Sequence, residues 1–162
     1  MTPESGSHYV QTYRVGWGEI DGNGHMANTA YLDRAADTRF RFFAEHGFPA
    51  ERFGAERIGP VIVRDEVTYR KELRLMDAFS VDLRLTGLSP DRVRFELTNC
   101  FYNSSGDLVA VVKSEGVWFD LTTRRPRPPP HDLSSVQNDI PRAEEVRELR
   151  PHRASAPRAT TE

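Results

Sequence analysis

The hydrophobic and polar positions of this chain predict one long helix near the N-terminus. Between residues 30 and 46, apolar side chains recur three and four positions apart, the spacing that places them on one side of an α-helix. Asn28 or Thr29 can cap the first turn, because a side-chain oxygen at that position binds N–H groups that a helix start leaves unpaired. Gly47 and Pro49 indicate that the helix ends at about residue 46.

The rest of the pattern has the period of two that is typical of strands. A loose alternation at residues 9–19 predicts a first strand ahead of the helix, and residues 54–59 are predicted to form a loop. Beyond them the alternation is almost continuous, interrupted by turn-forming residues at 89–91 and 103–106. It predicts four further strands, at residues 61–69, 78–88, 93–102 and 108–121.

The order of strand, long helix and four consecutive strands predicts an α+β fold. Consecutive strands joined by short turns pair antiparallel, and a single helix covers only one face of the sheet that they form. We therefore expect a curved antiparallel sheet wrapped around one long central helix. The uncovered outer face and the sheet edges favour a homo-oligomer, because exposed edges readily pair with another chain.

Composition divides the chain into one folded domain and two flanking segments. The 162 residues suit a single domain with one hydrophobic core. Residues 1–8 are expected to be a flexible N-terminus, and residues 9–130 are expected to form the domain. Residues 131–162 are a Pro- and Arg-rich extension, expected to be largely irregular or disordered, in which residues 143–149 favour a short helix.

Charge and cysteine content exclude several classes of function. The net charge of −2 and the pI near 6.2 give no basic surplus, so binding to nucleic acid is not expected. No apolar stretch approaches the ~20 residues that cross a bilayer, so no membrane span is expected. The single cysteine, Cys100, fits a protein of the reducing cytoplasm. Neither a zinc-ligand spacing nor a nucleotide-binding glycine motif occurs, so no metal or cofactor is expected.

The candidate chemistry lies in the segment just before the predicted helix. Asp21 falls in a glycine-rich bend, and the helix start that follows offers unpaired N–H groups and about half an elementary positive charge. A carboxylate next to such an anchor for a carbonyl oxygen is the minimum equipment for hydrolysing an activated ester. The alternative is that Asp21 only caps the turn or the helix, which is common for aspartate at such positions.

The residues around Asp21 resemble the signature of the hotdog-fold acyl-CoA thioesterases of the 4-hydroxybenzoyl-CoA thioesterase type. Five residues carry the match, and they are Asp21, Gly24, His25, Asn28 and Tyr31. The resemblance continues through Tyr69-Arg-Lys, the turn before Arg92 and Trp118-Phe-Asp, and it covers roughly residues 9–130. It implies the hydrolysis of acyl-CoA by Asp21, as nucleophile or general base, with a backbone N–H near Asn28 holding the thioester carbonyl oxygen.

The resemblance also implies the substrate contacts and the assembly. His25 joins Asp21 and Asn28 in the catalytic set. The predicted substrate-binding residues are Gly24, Tyr31, Arg70, Lys71, Arg92 and Arg94. The basic residues among them are candidates for the CoA phosphates, and the acyl chain enters between the subunits of a homodimer or homotetramer. Two alternatives stay open: a hotdog hydratase or dehydratase acting on acyl thioesters, and a protein that binds acyl-CoA without catalysis.

Overall fold

The computed structural model describes residues 8–153 of the chain. The flexible start predicted at residues 1–8 lies mainly outside these residues, as does the end of the extension that is expected to be irregular or disordered, residues 154–162. None of the described helices is both long enough and apolar enough to cross a membrane. The elements, in chain order, are β1 (Val10–Arg14), α1 (Ala30–Glu45), α2 (Ala50–Glu56), β2 (Ile58–Tyr69), β3 (Ala78–Asp82), β4 (Arg84–Leu88), β5 (Arg94–Asn103), β6 (Leu108–Asp120), β7 (Arg125–Pro126), α3 (His131–Asp139) and β8 (Arg142–Glu148).

The strands form one largely antiparallel sheet that curls around α1. β5 lies at its centre, with β3 and β4 on one side and β6 on the other. β1 pairs with β3, and β2 pairs with β6 at the opposite side of the sheet. The predicted α+β hotdog fold, a curved antiparallel sheet wrapped around one long central helix, is confirmed.

The buried face of α1 explains why the sheet closes around it. Ala30, Tyr31 and Ala35 belong to one apolar cluster, and Phe42 and Phe43 belong to a second. Ala35 is fully buried, and its small side chain lets the sheet approach the helix closely. Burial of one Phe side chain stabilises a fold by about 1.5–3 kcal/mol, so the second cluster holds the C-terminal half of α1 firmly against the strands.

Three local predictions were wrong. β1 ends at Arg14 instead of near residue 19, because residues 17–19 form a 3-10 turn that leaves Trp17 83% exposed. Residues 54–56 belong to α2 instead of a loop, because burial of Phe53 outweighs the helix-weakening effect of a glycine. The single strand predicted at residues 78–88 is divided between β3 and β4 at Leu83.

A β-bulge in β2 changes which of its residues face the helix. The pairing of β2 with β6 shifts just after Ile62, and one extra residue in a strand reverses the alternation beyond it. The alternation predicted over residues 61–69 therefore breaks near its middle. As a result Ile62 and Asp65, although of opposite parity, both lie on the helix side of the sheet, where Ile62 borders a cavity beside α1 and Asp65 binds the buried side chain of Ser114.

The segment after residue 130 is folded, which corrects the irregular extension predicted there. α3 begins directly after Pro130 and buries Leu133 and Val136, and β8 then adds to β4 in parallel, in place of the predicted short helix. The prolines before α3 suggested irregular structure, but proline is well tolerated at a helix start. The apolar spacing of three and four residues then supplies the buried face.

Candidate active site

Asp21 lies in a tight turn that precedes α1. Its backbone N–H donates to the His25 carbonyl oxygen at 3.0 Å, and the Gly24 N–H donates to the Asp21 carbonyl oxygen at 3.1 Å. Gly24 has a φ of +78°, a left-handed conformation that glycine adopts without strain. Gly24 therefore shapes the turn that presents Asp21.

The two carboxylate oxygens of Asp21 have different surroundings. Oδ1 accepts hydrogen bonds from the backbone N–H groups of Asn23, at 2.8 Å, and His25, at 3.3 Å. Oδ2 has no hydrogen-bond partner within residues 8–153, and the side chain is only partly buried. One oxygen is thus fixed by the turn, and the other is free to act on a ligand or a water molecule.

The start of α1 leaves backbone N–H groups without acceptors. Those of Asn28, Thr29 and Tyr31 have no hydrogen-bond partner in the described part of the chain. The predicted side-chain cap is not formed, although Thr29 occupies the N-cap position. A capping side chain reaches back from an extended backbone, whereas Thr29 has helical angles, with φ −73° and ψ −27°. The unpaired N–H groups are therefore available to an oxygen atom of a ligand.

A groove of about 340 Å³ lies between the Asp21 turn, the start of α1 and the end of β2. This volume is in the range of small-molecule pockets. The residues that line the groove are Asp21, His25, Met26, Asn28, Tyr31, Tyr69, Arg70, Lys71 and Glu72. The groove therefore brings together six of the nine residues that the sequence nominated, and Gly24 supports it from within the turn.

Two tyrosines form one wall of the groove. The Tyr69 hydroxyl donates to the Asn28 carbonyl oxygen at 2.8 Å, and the Tyr31 ring meets the Tyr69 ring edge-on, with centroids 5.3 Å apart. Burial raises the pKa of Tyr31 to about 12, so its phenol is neutral at physiological pH. Tyr69 therefore ties the end of β2 to the helix start, while Tyr31 packs largely as a core residue.

The His25 side chain is bound to Glu72 and not to Asp21. His25 Nε2 lies 2.8 Å from Glu72 Oε2, and Arg74 Nη2 lies 2.8 Å from the other oxygen of Glu72. The hydrogen bond from Arg74, with a smaller contribution from His25, holds the pKa of Glu72 below its usual value. The sequence did not indicate Glu72, because only an isolated β-bridge between His25 and Arg74 brings it into the groove.

The two basic residues that follow β2 differ in their availability to a ligand. Lys71 Nζ lies 2.8 Å from Asp107 Oδ2 and lowers the pKa of that carboxyl group. The Arg70 guanidinium lines the groove and has no ion-pair partner within residues 8–153. Arg70 is therefore the cation of the groove that can bind a phosphate without first breaking an ion pair.

Arg92 and Arg94 lie away from the groove. The Arg92 guanidinium binds α3, through the Ser134 carbonyl oxygen at 3.3 Å and the side chain of Asn138. Arg94 lies 3.7 Å from Glu115 in the neighbouring strand. Both were nominated because an arginine side chain suits the oxygens of a phosphate group. The structure instead uses Arg92 to hold α3, an element that the sequence did not predict.

A bidentate ion pair joins the Asp21 segment to α1. Arg34 Nε and Nη2 lie 2.6 and 2.9 Å from the two carboxylate oxygens of Glu19, which also accepts a hydrogen bond from the Gly16 N–H at 2.7 Å. The Glu19 carbonyl oxygen accepts from the Ala27 N–H at 2.7 Å. The Arg34 hydrogen bonds lower the pKa of Glu19. Glu19 thus binds residues on both sides of the Asp21 turn, through its carboxylate and through its carbonyl oxygen. These contacts hold the turn next to the start of α1.

Comparison with known proteins relates the chain to one family. Residues 15–137 match the family described as the thioesterase-like superfamily, and a comparison with curated proteins gives no match. A Staphylococcus aureus protein solved in complex with CoA is 24% identical, with a TM-score of 0.74 and 82% of each chain covered.

Two further solved structures share the fold at lower identity. A 1,4-dihydroxy-2-naphthoyl-CoA thioesterase from Synechocystis is 16% identical, with a TM-score of 0.74, over 82% of this chain and 97% of that chain. A DHNA-CoA thioesterase from Staphylococcus aureus is also 16% identical, with a TM-score of 0.74, over 81% of this chain and 89% of that chain. At these identities the similarity establishes a common fold.

Proposed function

Because the chain belongs to the thioesterase-like superfamily, we propose that it is an acyl-CoA thioesterase of the 4-hydroxybenzoyl-CoA thioesterase type. It would hydrolyse acyl-CoA to a free carboxylic acid and CoA. The observation that carries the proposal is the groove shared by the free Oδ2 of Asp21 and the unpaired N–H groups at the start of α1. Hydrolysis of a thioester needs both groups, a base or nucleophile and a donor for the oxygen that becomes negative.

The start of α1 supplies the donor for the oxyanion. The Asn28 N–H and its neighbours are not occupied by a side-chain cap, so the thioester carbonyl oxygen can accept from them. One such donor is typically worth about 3–4 kcal/mol in the transition state. The partial positive charge of the helix start adds to the attraction, because it is oriented before the substrate arrives.

Asp21 acts through Oδ2 in one of two ways. As general base, it takes a proton from water while the water oxygen attacks the carbonyl carbon; the C–S bond then breaks and the CoA sulfur leaves and is protonated. As nucleophile, Oδ2 forms an anhydride with the acyl group, with loss of the CoA thiolate, and water then cleaves the anhydride. In both cases the anchored Oδ1 keeps the carboxylate in position.

We propose that the nucleotide part of CoA lies along the residues that follow β2. Arg70 is exposed and lines the groove, so its guanidinium can pair with a phosphate group. The similarity to a protein that was solved with CoA supports this choice of carrier. His25 contributes to the Asp21 turn through its backbone N–H, while its ring, bound to Glu72, borders the same groove.

We further propose a homodimer formed through β2. Within the described residues β2 pairs only with β6, so its other edge offers unpaired N–H and C=O groups, and Val61, Ile62 and Val63 are exposed on it. A long edge strand with exposed apolar side chains pairs readily with a second chain. The outer face of the sheet carries charges such as Lys113 and Glu115, which disfavours stacking of two sheets in a tetramer.

A thiol-release assay over a panel of acyl-CoAs tests the proposal. The purified protein is expected to release free CoA thiol from at least one member, at a rate proportional to the protein concentration. Loss of the conjugated absorbance of an enoyl-CoA without thiol release would identify a hydratase. Saturable acyl-CoA binding with neither reaction would identify a binding protein. Either of these two results would overturn the proposed activity.

A further inference from the structure

A second cavity lies farther along α1 than the Asp21 groove. It has a volume of about 80 Å³ and is enclosed by α1, β2, β5, β6 and α3. Most of its lining is aliphatic or aromatic. Phe40 and Ile62 are 46% and 38% exposed beside it, whereas Trp118 and Gln137 are each 1% exposed within it. This cavity, named the α1 chamber below, is therefore accessible from the side of α1 and β2 and closed at the side of β6 and α3.

Two buried polar atoms of the residues that line the chamber have no hydrogen-bond partner. They are the indole Nε1 of Trp118 and the side-chain Oε1 of Gln137. Phe43, Phe53 and Phe95 pack their rings around Trp118, so these neighbours offer no strong acceptor. Buried polar atoms are rarely left unpaired, because each costs roughly 1–3 kcal/mol. The combination of an apolar cavity with a few unpaired polar atoms is typical of a ligand site.

A buried guanidinium completes the polar part of the chamber. Arg39 donates through Nε to Asn99 Oδ1 at 2.8 Å and through Nη2 to Ser114 Oγ at 2.7 Å, and both acceptors are neutral. Asp65 binds Ser114 and has no direct bond to Arg39. Burial lowers the pKa of Arg39 to about 10, an effect that Asp65 opposes, so the guanidinium stays charged at neutral pH. The chamber therefore contains a cation without a direct carboxylate partner.

We infer that the α1 chamber binds the far end of an acyl group that carries an oxygen acceptor, as a carboxylate or a hydroxyl. The inference rests on the proposed function, because the acyl group would arrive as part of the thioester held at Asp21. The Trp118 N–H and the Arg39 guanidinium can donate to such an oxygen. A hydroxyl can also donate to Gln137 Oε1, an acceptor with which a carboxylate cannot pair. A hydroxyl therefore pairs both of the polar atoms that the protein itself leaves without partners, whereas a carboxylate pairs only the Trp118 N–H.

An unsubstituted alkyl end fits the same chamber less well. It would contact the apolar lining but would leave Trp118 and Gln137 unpaired and shielded from water. A site built to hydrogen-bond a substrate group discriminates strongly against the analogue that lacks it.

The volume of about 80 Å³ also limits what enters, since an engineered cavity that holds benzene measures about 150 Å³. The chamber therefore accepts the end of an acyl group and not a whole ring system.

The position of the chamber relative to the groove sets the length of the acyl group. Tyr31 lines the groove and Arg39 lines the chamber, and these residues are about 12 Å apart along the helix. On β2, Tyr69 borders the groove and Ile62 borders the chamber, about 23 Å away along the strand. Within one subunit, a thioester held at Asp21 therefore reaches the chamber only if its acyl chain is long.

Matched acyl-CoAs test the inference through specificity. Long-chain acyl-CoAs of equal length are compared in three forms, unsubstituted, ω-hydroxy and ω-carboxy, by thiol release. At least one oxygen-bearing form is expected to have a kcat/KM at least about tenfold above that of the unsubstituted form. Trp118→Phe, which removes the indole N–H, is expected to bring this ratio close to one, and Gln137→Met, which keeps a similar volume, is expected to do so for the ω-hydroxy form. A ratio near one in the parent protein, or a ratio that neither variant changes, would overturn the inference.

A binding measurement separates this inference from the proposed activity. The chain has two tryptophans, so in an Asp21→Asn, Trp17→Phe protein all tryptophan fluorescence comes from Trp118. The oxygen-bearing acyl-CoAs are expected to change this fluorescence at concentrations at least about tenfold lower than the unsubstituted one. That result would support the chamber even if the parent protein hydrolysed nothing. If all three ligands changed the fluorescence at equal concentrations, the preference assigned to the chamber would be refuted, even if hydrolysis were found.

Discussion

Asp21 Oδ1 lies 2.8 Å from the backbone nitrogen of Asn23, so one carboxylate oxygen is held inside the turn that precedes α1. The other oxygen has no partner within residues 8–153, and Asp21 is one of the residues that line the groove. An aspartate at such a position can be interpreted as a turn cap or as a catalytic acid. In this protein the two interpretations are compatible, because they use different oxygens of the same side chain.

The left-handed conformation of Gly24 predicts that a Cβ atom at this position strains the backbone of the turn. Gly24→Ala is expected to lower the free energy of unfolding by about 1–2 kcal/mol, the usual penalty for an L-residue at positive φ. Urea unfolding measures this change. Gly18→Ala is the matched control, since a Cβ there also meets open space but needs no positive φ. Equal effects of the two substitutions would contradict this account of the turn.

The Glu19–Arg34 pair predicts a specific dependence of stability on pH. The pKa of Glu19 is lowered in the folded state, so its contribution is complete above the unfolded value of about 4.3 and is lost as the pH falls through the folded value. Glu19→Gln is therefore expected to lower the free energy of unfolding by about 2 kcal/mol at neutral pH, with a smaller difference from the parent at about pH 3.

Urea unfolding at the two pH values checks this prediction. Asp37→Asn provides the control, because it removes an exposed helix pair with Arg41 and should change stability by no more than about 0.5 kcal/mol. A deficit of Glu19→Gln that stays the same in acid would show that the ion pair is not its cause.

The different surroundings of Arg70 and Arg92 predict different effects on substrate binding. Arg70→Gln is expected to raise the KM for acyl-CoA roughly three- to tenfold with little change in kcat, because a phosphate contact binds ground state and transition state alike. Arg92→Gln is expected to lower stability and leave KM unchanged, since Arg92 binds α3. Steady-state kinetics on both variants tests this prediction. A similar rise in KM for both would argue against the assigned phosphate site.

The free edge of β2 predicts how the subunits associate. Val63→Lys is expected to convert the proposed dimer into a monomer, because a lysine on an edge strand prevents pairing with another chain. Light scattering after size-exclusion chromatography measures the mass of both forms. Leu75→Lys introduces the same charge at an exposed apolar residue outside β2 and should leave the dimer intact. A dimer that survives Val63→Lys would place the interface elsewhere.

The sequence predicted those parts of the fold that local spacing determines. The apolar stripe of α1 and the alternation of β5 and β6 are periodic, so their bounds agree with the structure to within about two residues. The bulge after Ile62 and the split at Leu83 depend on pairing with strands that are distant in sequence. α3 has the apolar spacing of a helix at Leu133 and Val136, but the sequence does not show that the second apolar cluster buries this face.

In the candidate site, too, the sequence predicted the residues that are close together along the chain and missed those that tertiary contacts bring in. Gly24, His25 and Asn28 are close to Asp21 in sequence, so the resemblance could nominate them together. Glu72 reaches the groove only through tertiary contacts, and its distance from Asp21 along the sequence does not indicate this position. The unpaired atoms of the α1 chamber could not be anticipated either, because a sequence does not show which buried polar atoms lack partners.

The rate of thiol release by Asp21→Asn is the most direct test of the central claim. Asparagine retains an oxygen that can accept the hydrogen bonds of the turn, so the variant is expected to fold as the parent does and to bind acyl-CoA. Turnover is expected to fall at least about 100-fold, because an amide supplies neither a base nor a nucleophile. Asp37→Asn, the same change on the exposed side of α1, should retain the parent rate. A folded Asp21→Asn protein that releases thiol as fast as the parent would contradict the role assigned to Asp21.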